Sequence, residues 1–283
     1  MTSALDRRLN AWRDDLAAEE LRGRVKAKRF VTGSDYFVCD ALAPLRREHR
    51  PDGALDTEAL HGEAVTVFEE REGWVWGQLR SDRYVGYLPA ASLAQGAGTP
   101  THKVSALRTY VYPGPDIKLP HLAQLSIGSL VQSAGVEGKF HRLATGGYVA
   151  ACHVARVDEN AADFAAVAER FIGTPYLWGG RSSLGLDCSA LVQLSLNAAG
   201  ISSPRDSDLQ EHALGRPVPV TTGLTGLERG DLIFWKGHVG IMLDATRLLH
   251  ANAYHMETAV EPFAVAVPRI SAAGLDITRI KRL

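Results

Sequence analysis

The sequence has few cysteines, little net charge and no long apolar runs, and each shortage argues against a class of protein. Its three cysteines, Cys39, Cys152 and Cys188, are widely separated and odd in number, which argues against a disulfide framework and suits a reducing compartment. A formal net charge of −1 favours neither nucleic acid nor an anionic membrane surface as a partner. No apolar run approaches the length of a membrane span.

The N-terminal segment carries charges throughout and has no continuous apolar stretch. We therefore expect no secretory signal and a cytoplasmic location. Apolar residues recur within residues 1–30 at a spacing typical of one or two short helices. They are Leu5, Leu9, Trp12, Leu16 and Leu21.

Short β-type runs separated by turn residues fill the next part of the chain. The clearest are 64–67, Trp74–Leu79 and 84–88, at the spacing of a small barrel. A similar order recurs in the following segment, where Gly128-Ser129-Leu130-Val131 lines up with Gly62-Glu63-Ala64-Val65. This internal repeat predicts two small all-β, SH3-like barrels, over residues 31–97 and 98–157.

Residues 158–283 have a different order, with helical patterns first and strand patterns after them. We predict helices over 161–171 and 190–199, then a long loop over 201–227. Apolar strands at 230–235, 238–243 and 248–251 follow, and the runs 264–270 and 277–280 can extend the same antiparallel sheet. This order predicts an α+β domain.

A Gly-rich loop over residues 174–187 leads into the first of the functional candidates, Cys188. Asp187 stands where a helix N-cap would, and Gly200 stands where the helix would end. Cys188 therefore lies in the first helical turn, where free N–H groups and the helix dipole favour a thiolate. The alternative is a small buried apolar side chain, the commonest role of a free cysteine.

A thiol nucleophile needs a base, and the base needs a third group to orient it. His238 begins one predicted strand and His250 lies near the end of the next, so a tight turn brings them side by side. Together with Cys188 they predict nucleophile, base and orienting residue. The same three side chains are also a possible zinc ligand set.

These motifs resemble the NlpC/P60 family of cysteine peptidases. The matching segments are 173–180, 185–189, Pro204-Arg205-Asp206-Ser207 with Gln210, 230–234, 238–241 and 249–251. The resemblance implies a papain-like catalytic fold, with Cys188 as nucleophile, His238 as base and His250 as the third residue. It also implies that the Tyr176 hydroxyl and the Cys188 N–H stabilise the oxyanion. Ala190 departs from the family pattern, which usually has glycine there.

Members of this family cleave cell-wall peptides, typically between γ-D-glutamate and a diamino acid. Asp187, Ser189 and Ser207 match positions that contact the substrate in the family. For Asp187 the alternative role is helix capping alone. Arg205 and Asp206 belong to the same matching segment, but an ion pair within the loop explains them equally well.

The front half of the chain resembles the group of γ-D-glutamyl-L-diamino acid endopeptidases that carry N-terminal SH3-like domains. In that group the first barrel recognises the free amine of an N-terminal L-alanine, and Glu63 and Tyr84 match the positions used. A carboxylate and a phenol suit an ammonium group. The alternatives are that Glu63 is an exposed charge and that Tyr84 is an aromatic residue of the barrel core.

The sequence therefore predicts a cytoplasmic, monomeric cysteine peptidase that recycles murein peptides and needs no metal or cofactor. The expected substrate is L-Ala-γ-D-Glu-diamino acid, and neither nucleic acid nor membrane is an expected partner. Three alternatives stay open: a wall-binding module whose peptidase domain acts on intact peptidoglycan or is inactive, a zinc protein, and an amidase or acyltransferase with another substrate.

Overall fold

The computed structural model describes residues 5–96, 99–219 and 226–283. The chain divides into two compact units, Met1–Val157 and Asp158–Leu283. The predicted barrel boundary between residues 97 and 98 lies outside the described residues. Within the described residues, no helix is both long and apolar enough to cross a membrane.

The start of the N-terminal unit contains two short strands where helices were predicted. β1 (Leu16–Ala18) and β2 (Arg29–Val31) pair in parallel, and a 3₁₀ turn at Glu19–Leu21 lies between them. Leucines from this segment pack in a small core with Trp76. The helix prediction is therefore wrong for residues 5–30, because contacts with a later strand outweigh a weak local helix preference.

An antiparallel sheet follows in the same unit. Its strands are β3 (Ser34–Val38), β4 (Leu42–Arg46), β5 (Leu55–Leu60), β6 (Ala64–Arg71), β7 (Trp74–Leu79), β8 (Val85–Pro89) and β9 (Leu93–Gln95). They lie in the order β5-β4-β8-β7-β6-β3-β9 around an aliphatic core. The predicted strands at 64–67, 74–79 and 84–88 are confirmed.

The second half of the N-terminal unit repeats this strand order. Its strands are β10 (His102–Val104), β11 (Arg108–Tyr112), β12 (Ala123–Ser126), β13 (Leu130–Val131), β14 (Ser133–Glu137), β15 (Phe140–Leu143), β16 (Tyr148–Ala150) and β17 (Val154–Arg156). They form two sheets, β12-β11-β16-β15-β14 and β13-β10-β17. Together β13 and β14 occupy the place of β6, so the internal repeat is visible in the topology. The sheets are open in strand order, and two closed barrels are not established.

The C-terminal unit combines four α-helices with a larger antiparallel sheet among its described residues. Its elements are α1 (Phe164–Glu169), β18 (Arg181–Ser182), β19 (Gly185–Leu186), α2 (Cys188–Ala198), α3 (Ser207–Ala213), β20 (Arg216–Pro217), β21 (Leu232–Trp235), β22 (His238–Met242), β23 (Arg247–Asn252), β24 (Glu257–Pro262), α4 (Phe263–Ala272) and β25 (Ile277–Arg282). The sheet order is β20-β25-β21-β22-β23-β24. The predicted α+β class is confirmed for this unit.

Two predictions for the C-terminal unit are wrong. The run 264–270, predicted as a strand, belongs to α4, because Phe263, Ala266 and Ile270 follow helical spacing and bury one face in the core. The predicted loop over 201–227 contains α3 and β20, and its residues 220–225 lie outside the described residues. β24 was missed altogether, and it carries Glu261, which contacts His250.

The central helix α2 positions the site. It packs against β22 and β23, and the residues from Cys188 to Leu196 are buried. α2 is therefore an interior helix, and its buried residues include the polar Ser189, Gln193 and Ser195. The start of α2 is therefore fixed against the two strands that carry the candidate histidines.

Candidate active site

Cys188 is the first residue of α2 and follows a capped helix start. The Asp187 carboxylate accepts a hydrogen bond from the Ala190 backbone N–H, with Oδ1···N 2.9 Å, and so satisfies a free donor of the first turn. After the helix end, Gly200 has a φ of +77°, a left-handed conformation that favours glycine. The predicted N-cap, thiol position and terminating glycine are confirmed.

The capping carboxylate is held by a buried arginine. Arg205 forms two hydrogen bonds to Asp187, with Nη1···Oδ1 2.9 Å and Nη2···Oδ2 2.7 Å. Its Nη1 also donates to the Ser189 hydroxyl at 2.9 Å. Sequence reasoning assigned no role to Arg205 beyond a loop ion pair with its neighbour Asp206. Its bidentate partner is Asp187, the residue that caps α2.

The Asp187 carboxylate receives several donors from the protein itself. Besides Arg205, the Gly179 and Ala190 N–H groups and the Ser189 hydroxyl donate to it. Its two oxygens offer about four lone-pair positions, so these donors occupy them. The carboxylate therefore holds the loop and the helix start together.

Burial dominates the electrostatics of the thiol. Cys188 is 5% exposed, and burial, followed by the negative charge of Asp187, raises the pKa of the thiol to about 12. The backbone N–H groups of Val239 and Ser189 hydrogen-bond the sulfur and act in the opposite direction. The expectation of a resting thiolate is therefore corrected: the helix start acts as predicted, but desolvation outweighs it.

His238 is the first residue of β22, directly before the Val239 N–H that reaches the Cys188 sulfur. Its Nε2 lies 2.8 Å from Nδ1 of His250 on the neighbouring strand β23. The structure thus brings the predicted base into contact with the predicted third residue, and it places the neighbouring Val239 N–H at the predicted nucleophile.

A glycine allows the two imidazoles to meet. The β22–β23 register pairs Ile241 with Leu249, and by continuation it sets Gly240 opposite His250. A Cβ added at Gly240 would lie 2.7 Å from Cδ1 of Leu248 and 3.3 Å from Cβ of His250. A side chain at this position would therefore disturb His250.

Sequence reasoning missed a fourth member of the site, Glu261. Nε2 of His250 lies 2.7 Å from Oε1 of Glu261, which sits on β24 opposite Leu248. The same oxygen accepts from Arg269 of α4. The sequence did offer a signal, because Glu261 is a carboxylate within a mostly apolar segment. However, neither β24 nor its pairing register with β23 was predicted.

Both histidines are neutral in this environment. Burial, with the nearby His250, lowers the pKa of His238 to about 3. Burial also lowers the pKa of His250, against the opposing effect of Glu261. For Glu261, burial acts to raise the pKa, but the hydrogen bond from His250 and the electrostatic effect of the neighbouring His250 and Arg269 outweigh it and lower the pKa. The resting site therefore pairs a neutral thiol with a neutral imidazole and ends in a carboxylate.

Tyr176 lies beside the thiol and keeps its proton. It forms a β-bridge with Leu186, two residues before Cys188. Burial, followed by the proximity of the Cys188 thiol and the Asp187 carboxylate, raises the pKa of its hydroxyl above the usual range. A neutral phenol can donate a hydrogen bond, as an oxyanion donor must.

The remaining predicted substrate residues lie in two parts of the chain. Ser189 is buried in α2, and Ser207 is the half-buried first residue of α3, which packs against α2. Glu63 and Tyr84 belong to the N-terminal unit. The Glu63 carboxylate accepts from the Leu60 N–H at 2.8 Å, and Tyr84 is 4% exposed in the aliphatic core.

One cluster in the described part of the chain offers three possible metal ligands: His250, His255 and Glu261. Two of them are hydrogen-bonded to each other, and Glu261 is also paired with Arg269. The predicted zinc alternative used Cys188, His238 and His250. Cys188 and His238 belong to no such cluster among the described residues.

Comparison with known protein families bears on this geometry. Residues 173–264 match the model of the NlpC/P60 family, and residues 45–93 match that of the bacterial dipeptidyl-peptidase SH3 domain. The chain carries an NlpC/P60 peptidase domain. The resemblance inferred from the sequence motifs is confirmed, and an SH3 domain precedes the peptidase domain.

Two relatives resemble most of the chain. It is 29% identical over 240 residues to dipeptidyl-peptidase 6 of Lysinibacillus sphaericus, covering 76% of this chain and 87% of that protein. It is 28% identical over 221 residues to the gamma-D-glutamyl-L-lysine dipeptidyl-peptidase of Bacillus subtilis, covering 71% of this chain and 73% of that protein. Both matches extend well beyond the NlpC/P60 domain.

A solved structure shows the same fold. An NlpC/P60 family protein from Bacillus cereus aligns with a TM-score of 0.73 and 21% identity, covering 88% of this chain and 99% of that one. At this identity the likeness shows architecture only. The NlpC/P60 domain with a preceding SH3 domain is thus supported by family models and by fold.

Proposed function

We propose that this NlpC/P60 chain is a cysteine peptidase that hydrolyses the γ-D-glutamyl–diamino acid bond of murein peptides. The observation that carries the proposal is the hydrogen-bonded pair His238–His250, next to the Val239 N–H that reaches the buried thiol of Cys188. Nucleophile, base and orienting group stand in the order that covalent catalysis needs. The name of the Bacillus subtilis relative supplies the γ-D-glutamyl-L-lysine bond, and the family resemblance of the sequence motifs supplies the murein peptide.

The reaction follows from the resting protonation states. The Cys188 sulfur attacks the γ-carbonyl carbon while its proton passes to His238, because neither group is charged beforehand. His238 then gives this proton to the leaving amine as the carbon–nitrogen bond breaks. Water then attacks the thioester, and His238 again acts as the base that takes its proton. The carbon–sulfur bond breaks, the acid is released, and the proton returns to the sulfur to regenerate the thiol.

Oxyanion stabilisation and substrate contacts come from the groups around the thiol. In this proposal the Tyr176 hydroxyl and the Cys188 N–H donate hydrogen bonds to the oxyanion. Ser189, Ser207 and the Asp187 position line the peptide site. In this proposal Asp187 contributes through the loop that it holds, because protein donors already occupy its carboxylate.

The N-terminal unit confers specificity for peptides with a free N-terminal L-alanine. In this proposal Glu63 and Tyr84 bind the ammonium group of the substrate. We regard residues 98–157 as a second SH3-like unit because the strand order repeats. A monomeric enzyme of this specificity suits the recycling of free murein peptides in the cytoplasm. No metal or cofactor takes part in the steps given above.

Product analysis by mass spectrometry tests the proposal. L-Ala-γ-D-Glu-L-Lys and L-Ala-γ-D-Glu-diaminopimelate are offered with free and with acetylated N-termini. We expect L-Ala-D-Glu only from the free-amine peptides. Cys188→Ala abolishes the release, whereas Cys152→Ala, which removes an exposed cysteine, leaves it unchanged.

The other outcomes separate the alternatives. Cleavage of acetylated as well as free peptides contradicts the role of Glu63 and Tyr84 but not the peptidase activity. Release of peptides from intact peptidoglycan alone indicates a wall hydrolase. If neither the free peptides nor the intact peptidoglycan is cleaved and the protein is retained on sacculi, the chain is a binding module.

A further inference from the structure

We propose that Glu261 is a positioning residue that fixes the tautomers of both active-site histidines. The inference rests on the proposed function, because it explains how His238 becomes a base for Cys188. It is carried by a continuous chain of hydrogen bonds from β22 through β23 to β24. The two links are 2.8 Å from His238 to His250 and 2.7 Å from His250 to Glu261.

The direction of this chain follows from the chemistry of its last member. An ionised carboxylate can only accept hydrogen bonds, so Nε2 of His250 must be the donor. A neutral imidazole has one N–H, so Nδ1 of His250 accepts, and Nε2 of His238 must donate to it. The lone pair of His238 is then on Nδ1, the nitrogen left for the thiol proton.

Glu261 is kept ionised and in place by a second element. Arg269, in the last turn of α4, pairs with the same oxygen that accepts from His250. Its guanidinium carbon also lies 4.0 Å from the ring centroid of Tyr254, a cation–π arrangement. The carboxylate is thus fixed on one side by a charge and on the other by His250.

The carboxylate decides between two arrangements that the histidines alone would not distinguish. Reversing both tautomers keeps the His238–His250 hydrogen bond, but it puts a proton on Nδ1 of His238. That nitrogen then cannot take the thiol proton. Once His238 has taken the proton, the Glu261 charge stabilises the imidazolium through His250.

Glu261→Gln tests the proposal, because the amide has nearly the same shape and can either accept or donate. Nitrogen NMR of the imidazoles at neutral pH should find both histidines as Nε2–H tautomers in the wild type and as mixtures in the variant. The rate of Cys188 alkylation by iodoacetamide and kcat should fall on the order of 10- to 100-fold, a part of the roughly 10²- to 10⁴-fold that a positioned base contributes. KM should change little.

A matched control separates positioning from general destabilisation. Glu228→Gln removes an exposed carboxylate that pairs with Arg282 in the same unit. It should leave the tautomers, the alkylation rate and kcat at wild-type values. Melting temperatures of both variants show whether either loses its fold.

Two results would overturn the inference. One is a wild-type His238 that carries its proton on Nδ1, a measurement that needs no variant. The other is a folded Glu261→Gln variant with unchanged tautomers and alkylation rate. Neither measurement uses a peptide, so failure of the wild type to cleave murein peptides would count against the proposed function alone.

Discussion

Arg205 and Asp187 form a bidentate ion pair whose side chains are only 1% and 11% exposed. The pair joins the segment before α3 to the N-cap of α2, the helix that begins with Cys188. Burying two charged groups costs free energy unless both are paired and hydrogen-bonded, as they are here. The position of Cys188 therefore depends on an arginine that is distant in sequence.

Removing the arginine should destabilise the C-terminal unit strongly. Arg205→Leu leaves the Asp187 carboxylate buried without its cation, which costs about 3–5 kcal/mol. Urea unfolding followed by tryptophan fluorescence measures the loss. The double variant Asp187→Asn/Arg205→Leu should recover part of the stability, because no buried charge is left unpaired.

An exposed ion pair of the same unit provides the control. Arg247 pairs with Asp244, and the two side chains are 56% and 40% exposed. Arg247→Ala should cost at most about 1 kcal/mol. If Arg205→Leu costs no more than this control, the buried pair does not support the helix start.

The reactivity of Cys188 should increase with pH through the neutral range once its base is removed. In His238→Gln no imidazole can take the thiol proton, so the free thiolate is the reactive form. A thiol whose pKa is raised to about 12 is almost wholly protonated at neutral pH, so its alkylation rate by iodoacetamide in this variant should rise up to about tenfold per pH unit. Mass spectrometry of the Cys188 peptide after timed exposure measures the rate.

A thiol of ordinary pKa has a distinct signature. In the same variant it would give an alkylation rate that levels off at mildly alkaline pH. Such a plateau would show that burial does not control the thiol. Cys152, which is exposed, serves as the internal comparison in the same digest.

Gly240 should tolerate no side chain without loss of catalysis. The Cβ of Gly240→Ala meets Leu248 and His250 at 2.7 and 3.3 Å, so His250 must move and its bond to His238 weakens. We expect kcat to fall about tenfold or more, since part of the base catalysis is lost. Ile241→Val, on the same strand, loses about 0.5–1.5 kcal/mol of stability but should keep kcat. Equal kcat values for the two variants would contradict the role of Gly240.

The N-terminal unit should affect binding of the substrate amine alone. Glu63→Gln removes the negative charge opposite an ammonium, an interaction worth about 1.5–3 kcal/mol, so KM for L-Ala-γ-D-Glu-L-Lys should rise about tenfold or more. Tyr84→Phe should have a smaller effect in the same direction. Glu48→Gln, which removes a half-exposed carboxylate paired with Arg50, is the control. Unchanged KM in Glu63→Gln would refute the amine-binding role.

The sequence predicted those parts of the site that depend on local pattern. The Asp187 cap, the position of Cys188 in α2 and the strands that carry His238 and His250 follow from spacing and turn residues. Their roles as nucleophile, base and third residue stay predictions until activity is measured.

The parts that were missed depend on contacts distant in sequence. Glu261 reaches His250 only because β24 pairs with β23, and no local pattern gave that register. Arg205 reaches Asp187 only through the packing of α3 against α2. The strand predicted at 264–270 became α4 because its buried face fits the core, which outweighs its β-branched composition.

The most direct test of the account is to trap the acyl-enzyme. Wild-type protein is mixed with L-Ala-γ-D-Glu-L-Lys, quenched in acid within milliseconds to seconds, and analysed by peptide mass spectrometry. The account predicts an L-Ala-γ-D-Glu thioester on Cys188 and on neither Cys39 nor Cys152, with none in Cys188→Ala. Cleavage of the peptide by Cys188→Ala at the wild-type rate would contradict it.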